Sequence, residues 1–328
     1  MENLEQQLAG VHSAVVAGHT RPDGDCVGSC LATYNYLKEY HPKIKVRLYL
    51  EPIPNIFKFL ANSDQIISDF EGPDYFNDID PIDLLIVQDC GDAGRLGKAA
   101  GLIRHAERII CIDHHISNSG FGDESYIFPK ASSTSELIFD LLPKERITKQ
   151  IAECIYVGIV HDTGLFQYSC TSPRTMRTAA FLMETGIDFS DIVDKTYVQK
   201  TYEQNHILAR AIEKSSLHLS GTCISSIITL EDMESCHVLP KHLEGIVAQM
   251  RSTKGVEAAV FFYQKDENEY KISMRSSSDA VNVAEIAMHY GGGGHMRAAG
   301  ASTTLEPKEC LAQILELIEN QMKKQQAG

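Results

Sequence analysis

Apolar residues in the first half of the chain fall in short strand-like runs separated by stretches with helical spacing. Ser13 to Gly18, Ile44 to Leu50, Asp83 to Val87 and Arg108 to Ile112 read as strands, and Val27 to Glu39, Thr134 to Leu142 and Thr148 to Val160 as helices. Ser133-Thr-Ser-Glu136 has the form of a capping box at one helix start. Alternating strand and helix predict an α/β unit with a doubly wound, mostly parallel sheet. From Ile187 to Lys214 the chain turns polar and helix-permissive, with Asp191, Asp194, Lys195, Lys200, Glu203 and Arg210, and predicts a connecting helix. Beyond it Gly221 to Thr229, Val256 to Tyr263 and Lys271 to Met274 alternate like strands, while His242 to Arg251 and Val283 to His289 are spaced like helices. The predicted organisation is a first domain over 1–186, a helical linker over 187–214 and a smaller α+β domain over 215–328.

The length of 328 residues leaves room for two cores, and 43% apolar with 23% charged residues is the balance of an ordinary globular chain. No fixed-period repeat appears. Nine cysteines, odd in number and irregularly spaced, fit a reducing compartment, the cytoplasm being the simplest. Cys26 and Cys30 lack a CxxC spacing and read as buried apolar thiols. No apolar run reaches the roughly 18 residues of a membrane span, and the start Met-Glu-Asn-Leu-Glu-Gln-Gln lacks a signal-peptide pattern, so a soluble protein is expected. A formal charge of −14 argues against long duplex nucleic acid as a partner. A polyanionic ligand must be held locally, by a few cationic side chains and by metal ions.

The candidate chemistry lies at strand ends, where open parallel sheets bind ligands. After Val15-Val16-Ala17-Gly18 comes His19-Thr-Arg-Pro-Asp23-Gly-Asp25. After Leu85-Ile86-Val87-Gln88 comes Asp89, and after Ile109-Ile110-Cys111-Ile112 comes Asp113-His114-His115. Asp162 follows the apolar helix that ends Gly158-Ile159-Val160-His161. Each group alone reads as a turn or a structural histidine. Converging on one sheet edge, they would repel and desolvate one another at a cost of several kcal/mol unless cations were bound. In Asp23-Gly-Asp25 an extended backbone would turn both carboxylates to one side. Mixed imidazole and carboxylate donors suit manganese, iron, cobalt or zinc better than calcium. The donor count implies two ions, and Asp89, alone at its strand end, is the candidate to bridge them.

These groups, His-x-x-x-Asp-x-Asp, a lone Asp, Asp-His-His and a later Asp in that order, resemble the DHH phosphoesterase superfamily. Gly291-Gly-Gly-Gly294-His295-Met-Arg-Ala-Ala-Gly300 resembles the glycine-rich signature of the DHHA1 domain that accompanies one branch of it. Their order and separation are similar to the compact oligoribonuclease and pAp phosphatase family of NrnA type. The resemblance implies two divalent ions, manganese by preference, held by His19, Asp23, Asp25, Asp89, His114 and Asp162. It implies that His115 faces the scissile phosphate and that Asp113 orients the pair.

The Gly291 to Gly294 run follows a predicted helix and precedes His295. The amides of Gly292, Gly293 and Gly294 can then approach a phosphate closely while the imidazole adds a donor. Arg275, just beyond a strand, is the guanidinium expected to grip a second phosphate, with a solvated surface arginine as the alternative. Arg251 and Arg297 are weaker versions of the same idea. Arg95 resembles a recurrent feature of the family; it reaches a phosphate or pairs with Asp92. Phe166 and Tyr168 read as packing before base stacking.

The resemblance implies an enzyme that hydrolyses dinucleotides and short RNA or DNA oligonucleotides to 5′-mononucleotides, with 3′-phosphoadenosine 5′-phosphate (pAp) as a second substrate. A phosphodiesterase for cyclic di-AMP or a related cyclic dinucleotide is the alternative, and a nucleotide sensor that binds without cleaving is the alternative of another class. No membrane partner is expected, and a homodimer is open.

Overall fold

The computed structural model describes residues 3–70, 75–76 and 79–326. The chain divides into two compact units, 1–199 and 200–328. The first contains α1 (Leu4–Gln7), β1 (Ser13–Ala17), α2 (Gly24–Tyr40), β2 (Lys45–Tyr49), β3 (Ile66–Ile67) and β4 (Leu84–Gln88). Tight 3-10 turns over Ala93–His105 lead to β5 (Ile109–Asp113), β6 (Glu124–Ile127), α3 (Thr134–Leu141), α4 (Lys149–Asp162), α5 (Pro173–Glu184) and α6 (Phe189–Val193). A π turn over Asp194–Val198 follows.

All six strands are parallel, in the order β3-β2-β1-β4-β5-β6. The chain winds outward from β1 in one direction and from β4 in the other, so a crevice opens beyond the carboxyl ends of these two neighbours. The central strands β1, β4 and β5 are apolar at all but one position each, Ser13, Gln88 and Asp113, because both faces are covered. Val16, Ile86 and Ile112 pack under α2, α3 and α4 with Leu31, Ile138 and Ile155. Val15, Leu85 and Val87 face the other way, onto Leu96 and Leu102 of the 3-10 segment.

The division at 199/200 falls inside the segment expected as a linker, 187–214, which is shared between the two units. That segment is not one helix: α6 and the π turn end at Val198, and α7 (Tyr202–Glu213) starts afresh from the capping box of Thr201 and Gln204. The second unit continues with β7 (Ser216–His218), β8 (Cys223–Ile228), α8 (Leu230–Ser235), α9 (Ile246–Arg251), β9 (Ala258–Gln264) and β10 (Tyr270–Ser276). It ends with α10 (Val283–Met288), β11 (Gly293–His295), β12 (Ala298–Thr303) and α11 (Pro307–Gln326).

Its sheet has the order β11-β12-β10-β9-β8-β7, with β8 and β9 parallel and the other pairs antiparallel. Val260, Phe262, Ile272 and Met274 pack on Ile286 of α10 and Ile314 and Ile318 of α11. Ala259 and Phe261, on the opposite face, pack on Ile207 of α7 and Met250 of α9. The helix expected over His242 to Arg251 is interrupted at Gly245, φ +85, and only its second half is α-helical.

Candidate metal centre and active site

The ends of β1, β4 and β5 lie side by side, since Ala17 pairs with Val87 and Gln88 with Ile112. His19, Asp89 and Asp113-His114-His115 therefore emerge next to one another at the point where the strand order reverses, and Asp162 reaches them from the last turn of α4. Asp23 and Asp25 arrive differently from the extended arrangement expected. Asp23 is the N-cap of α2, accepting from the amides of Asp25 (3.1 Å) and Cys26 (3.2 Å), and Asp25 lies in the first helical turn. The helix begins there because an aspartate cap satisfies amides that have no partner within the helix. Gly24 is required by contact: a Cβ there would stand 2.3 Å from Cγ of His161.

Asp89 is at the centre, and its two oxygens face different partners. Oδ2 lies 3.4 Å from Nε2 of His19, and Oδ1 lies 3.6 Å from Nε2 of His114 and 3.6 Å from Nδ1 of His115. Nε2 of His19 is also 3.7 Å from Asp23. Nε2 of His114 is 2.9 Å from Asp162 and 3.8 Å from Asp25. Three sets of potential donor atoms, each within 4.8 Å of one another, result: Asp25, His114 and Asp162; Asp89, His114 and His115; and His19, Cys26 and Asp89. Cys26 was read from sequence as a packing thiol only. Burial raises its pKa well above the usual thiol value, which keeps the proton on sulfur.

The layer behind these side chains was not legible in the sequence. The amides of Thr134 and Ser135, at the start of α3, donate to the two oxygens of Asp25 at 2.6 and 2.8 Å. Oγ1 of Thr134 donates to Asp89 at 3.2 Å. The capping box read at Ser133 is half formed: Ser133 accepts from the amide of Glu136, but the Glu136 carboxylate turns to the amide and hydroxyl of Ser132. Asp113 accepts from Asn118 Nδ2 at 2.7 Å and holds Nδ1 of His115 at 2.7 Å. Asp89 sits at φ +52, a left-handed conformation that costs a non-glycine residue about 1 kcal/mol or more.

Burial, with the neighbouring charge of Asp89, raises Asp25 to about 7. Burial also raises Asp89, and with Asp25 beside it raises Asp162 to about 6. Burial works against the imidazolium of His19, but its bonds to Asp23 and Asp89 outweigh that and lift it to about 12. His114, likewise opposed by burial, is lifted to about 10 by Asp162 and Asp25. Asp113 holds His115 above its ordinary value. Crowded buried acids of this kind demand positive charge, and an oxygen and nitrogen donor set spread on two sides of one carboxylate fits a pair of divalent cations.

In the second unit the register places Arg275 of β10 opposite Ala298 of β12, and Ala298 opposite His295 of β11. Residues opposite one another point to one side, so Arg275 and His295 share a face. The glycine run enters the sheet. Gly293–His295 is an edge strand, a Cβ at Gly292 would meet the Gly300 carbonyl oxygen at 2.2 Å, and Gly294 has φ +146. Arg297 is paired with Asp279 at 2.5 Å, and Arg251 ends α9 on a different element. In the first unit Arg95 is exposed, and its carbonyl accepts from the Thr20 amide at 2.8 Å, beside His19. Asp92 bonds the Arg95 backbone amide at 3.1 Å. Phe166 packs against the core of the first unit, whereas Tyr168 is 54% exposed.

Residues 13–159 match the DHH family, N-terminal domain, and residues 235–324 match the DHHA1 domain. A probable bifunctional oligoribonuclease and PAP phosphatase NrnA of Streptococcus mutans is 28% identical, covering 90% of this chain and 91% of that protein. The bifunctional oligoribonuclease and PAP phosphatase NrnA of Thermus thermophilus is 26% identical over 98% of this chain and 94% of its own, and that of Bacillus subtilis 28% identical over 87% of each. Among solved structures, an exopolyphosphatase-related protein from Bacteroides fragilis superposes with a TM-score of 0.89 at 25% identity, covering 98% of this chain and 96% of that one.

Proposed function

The chain is a DHH–DHHA1 phosphoesterase, and from that premise we propose that it is a two-metal phosphodiesterase that hydrolyses dinucleotides and short RNA or DNA oligonucleotides to 5′-mononucleotides and dephosphorylates pAp. The observation that carries this reading is the position of Asp89, one oxygen toward His19 and the other toward His114, at the switch point of the sheet. The substrate class draws support from relatives named oligoribonuclease and PAP phosphatase that align over most of the chain.

His19, Asp23 and Oδ2 of Asp89 would hold one cation, and Asp25, His114, Asp162 and Oδ1 of Asp89 the other; manganese suits these donors. When bound, such ions supply Lewis acidity, which neutralises phosphate charge and makes water more acidic. The α3 amides fix the Asp25 carboxylate, so its orientation does not depend on the ligand. Asp113 anchors Nδ1 of His115, which leaves Nε2 to donate to a phosphate oxygen or to the departing ester oxygen. Arg275 and His295 hold a part of the substrate away from the bond that breaks. All nine cysteines are free, which suits the cytoplasm, and no helix among the described residues is long and apolar enough to cross a membrane.

The test offers 5′-pApA, short RNA, cyclic di-AMP and pAp side by side to the purified protein with manganese. The expected outcome is mononucleotide release from pApA and short RNA, AMP from pAp, and slower attack on cyclic di-AMP. Preferential cleavage of cyclic di-AMP would replace this substrate assignment.

A further inference from the structure

The second unit has a recess that none of the roles above uses. The face of β10, β12 and β11 bearing Ser273 contributes no residue to either hydrophobic cluster of that unit. Register arranges it in three rows: Lys271 with Ser302, then Ser273 with Gly300 and Gly293, then Arg275 with Ala298 and His295. A cavity of about 410 Å³ opens over Lys271 and Ser302 of the first row and Ser273 and Gly300 of the second, lined also by Tyr263, Tyr290 and the start of the glycine run, Gly291 and Gly292.

The glycines divide into two kinds. Those at 292 and 294 are dictated by the chain, because a Cβ would strike the carbonyl oxygens of Gly300 at 2.2 Å and Ala298 at 2.4 Å. Those at 293 and 300 are not: a Cβ would meet nothing within 4 Å at Gly293, and at Gly300 nothing nearer than the Ile272 carbonyl oxygen at 3.4 Å. Folding leaves the floor at Gly300 open, and a side chain added there would occupy the cavity that Gly300 lines. Bare peptide beside a tyrosine ring accepts a flat apolar ring, and the Ser273 hydroxyl can bond its edge.

A second phosphate suits the recess less well. Nζ of Lys271 is already bonded to Ser302 at 2.6 Å and paired with Glu269 at 3.1 Å, so its charge is answered within the protein. The glycine row stands one residue pair, roughly 7 Å, from the Arg275 and His295 row, close to the reach of a nucleoside from its phosphate. We propose that this recess seats the base of the nucleotide whose phosphate is taken by Arg275 and His295, an inference that rests on the short-nucleotide reading above. Tyr263 and Gly300 are its specificity-determining residues.

Equilibrium dialysis of the manganese-loaded protein with AMP and with ribose 5-phosphate isolates the contribution of the base. The wild type is expected to bind AMP about tenfold or more tightly than ribose 5-phosphate. Gly300→Val and Tyr263→Leu should erase that preference while leaving ribose 5-phosphate within about twofold of wild type. Gly300→Ala, which adds one methyl in ordinary contact, should erode it partly and carries the test if the valine variant does not fold. Equal affinities in the wild type, or a preference that survives Gly300→Val and Tyr263→Leu, would overturn the seat. Cleavage of 5′-pApA, measured on the same wild-type sample, separates the two claims: cleavage without a base preference removes the seat alone, and a base preference without cleavage removes the short-nucleotide reading alone.

Discussion

Gly24 separates Asp23 from Asp25 and lies against the ring of His161, which also meets Phe57, with centroids 5.0 Å apart, and Tyr197, at 5.7 Å, in edge-to-face geometry. The ring has little freedom to retreat. Gly24→Ala should therefore shift the cap that holds both aspartates, lowering stability by about 1–3 kcal/mol in urea unfolding and weakening manganese binding. Gly24→Ala combined with His161→Ala should regain part of the manganese affinity; a double variant no better than the single one would deny the contact its role. Residue types at strand ends were legible in the sequence because metal donors are chemically conspicuous there. The helpers were not: Thr134, Ser135 and Asn118 are ordinary polar residues until the fold brings them to Asp25, Asp89 and Asp113. Cys26 was legible as a buried thiol but not as a neighbour of His19 and Asp89, since one helical turn of α2 decides that.

The start of α3 ties an element to the site. Ser133→Ala removes the bond to the Glu136 amide and should cost about 1 kcal/mol of stability, as caps generally do. Because the next two amides hold Asp25, manganese affinity should fall as well; a loss of stability with unchanged affinity would confine Ser133 to the helix. In the second unit Asp232 joins α8 to α7 through Arg210, at 3.2 Å, and Lys214. Burial opposes its charge, but Lys214 and Thr229 overcome that and hold its pKa at about 2, below the ordinary carboxylate value of 3.8. A depressed carboxylate contributes stability above its unfolded pKa and loses it as pH falls through the folded one. Asp232→Asn should therefore be less stable than wild type by about 1–3 kcal/mol at neutral pH, and the gap should close as pH drops from 3.8 toward about 2. A constant gap would assign the effect to packing.

Apolar runs covered on both faces made β1, β4 and β5 readable almost to the residue. β6 is a short edge strand with half-buried residues, and β11 and β12 are built from glycine and alanine, which have little strand preference of their own. Tertiary pairing, with no local signal, makes them strands.

At the scale of the molecule, the first unit contains the whole candidate metal centre and the second a cationic row and a recess. Arg275→Ala or His295→Ala should lower the specificity constant for dinucleotides roughly tenfold to a hundredfold, one charge-assisted contact each, with metal content intact. A generic ester such as bis-p-nitrophenyl phosphate should be far less affected, and equal losses on both substrates would return these residues to a structural role. The break near Gln199 was hidden because 187–214 is helix-permissive throughout; the Thr201 cap that restarts the chain as α7 is a local feature, and core residues lie on both sides of it, Ile187 and Ile192 before and Ile207 and Ala211 after.

The most direct measurement strips the protein with EDTA and follows hydrolysis of 5′-pApA as manganese is returned. A two-cation centre around Asp89 requires no turnover in EDTA, and recovery that is complete only at two equivalents per chain. Full activity in EDTA, or recovery complete at one equivalent, would contradict it.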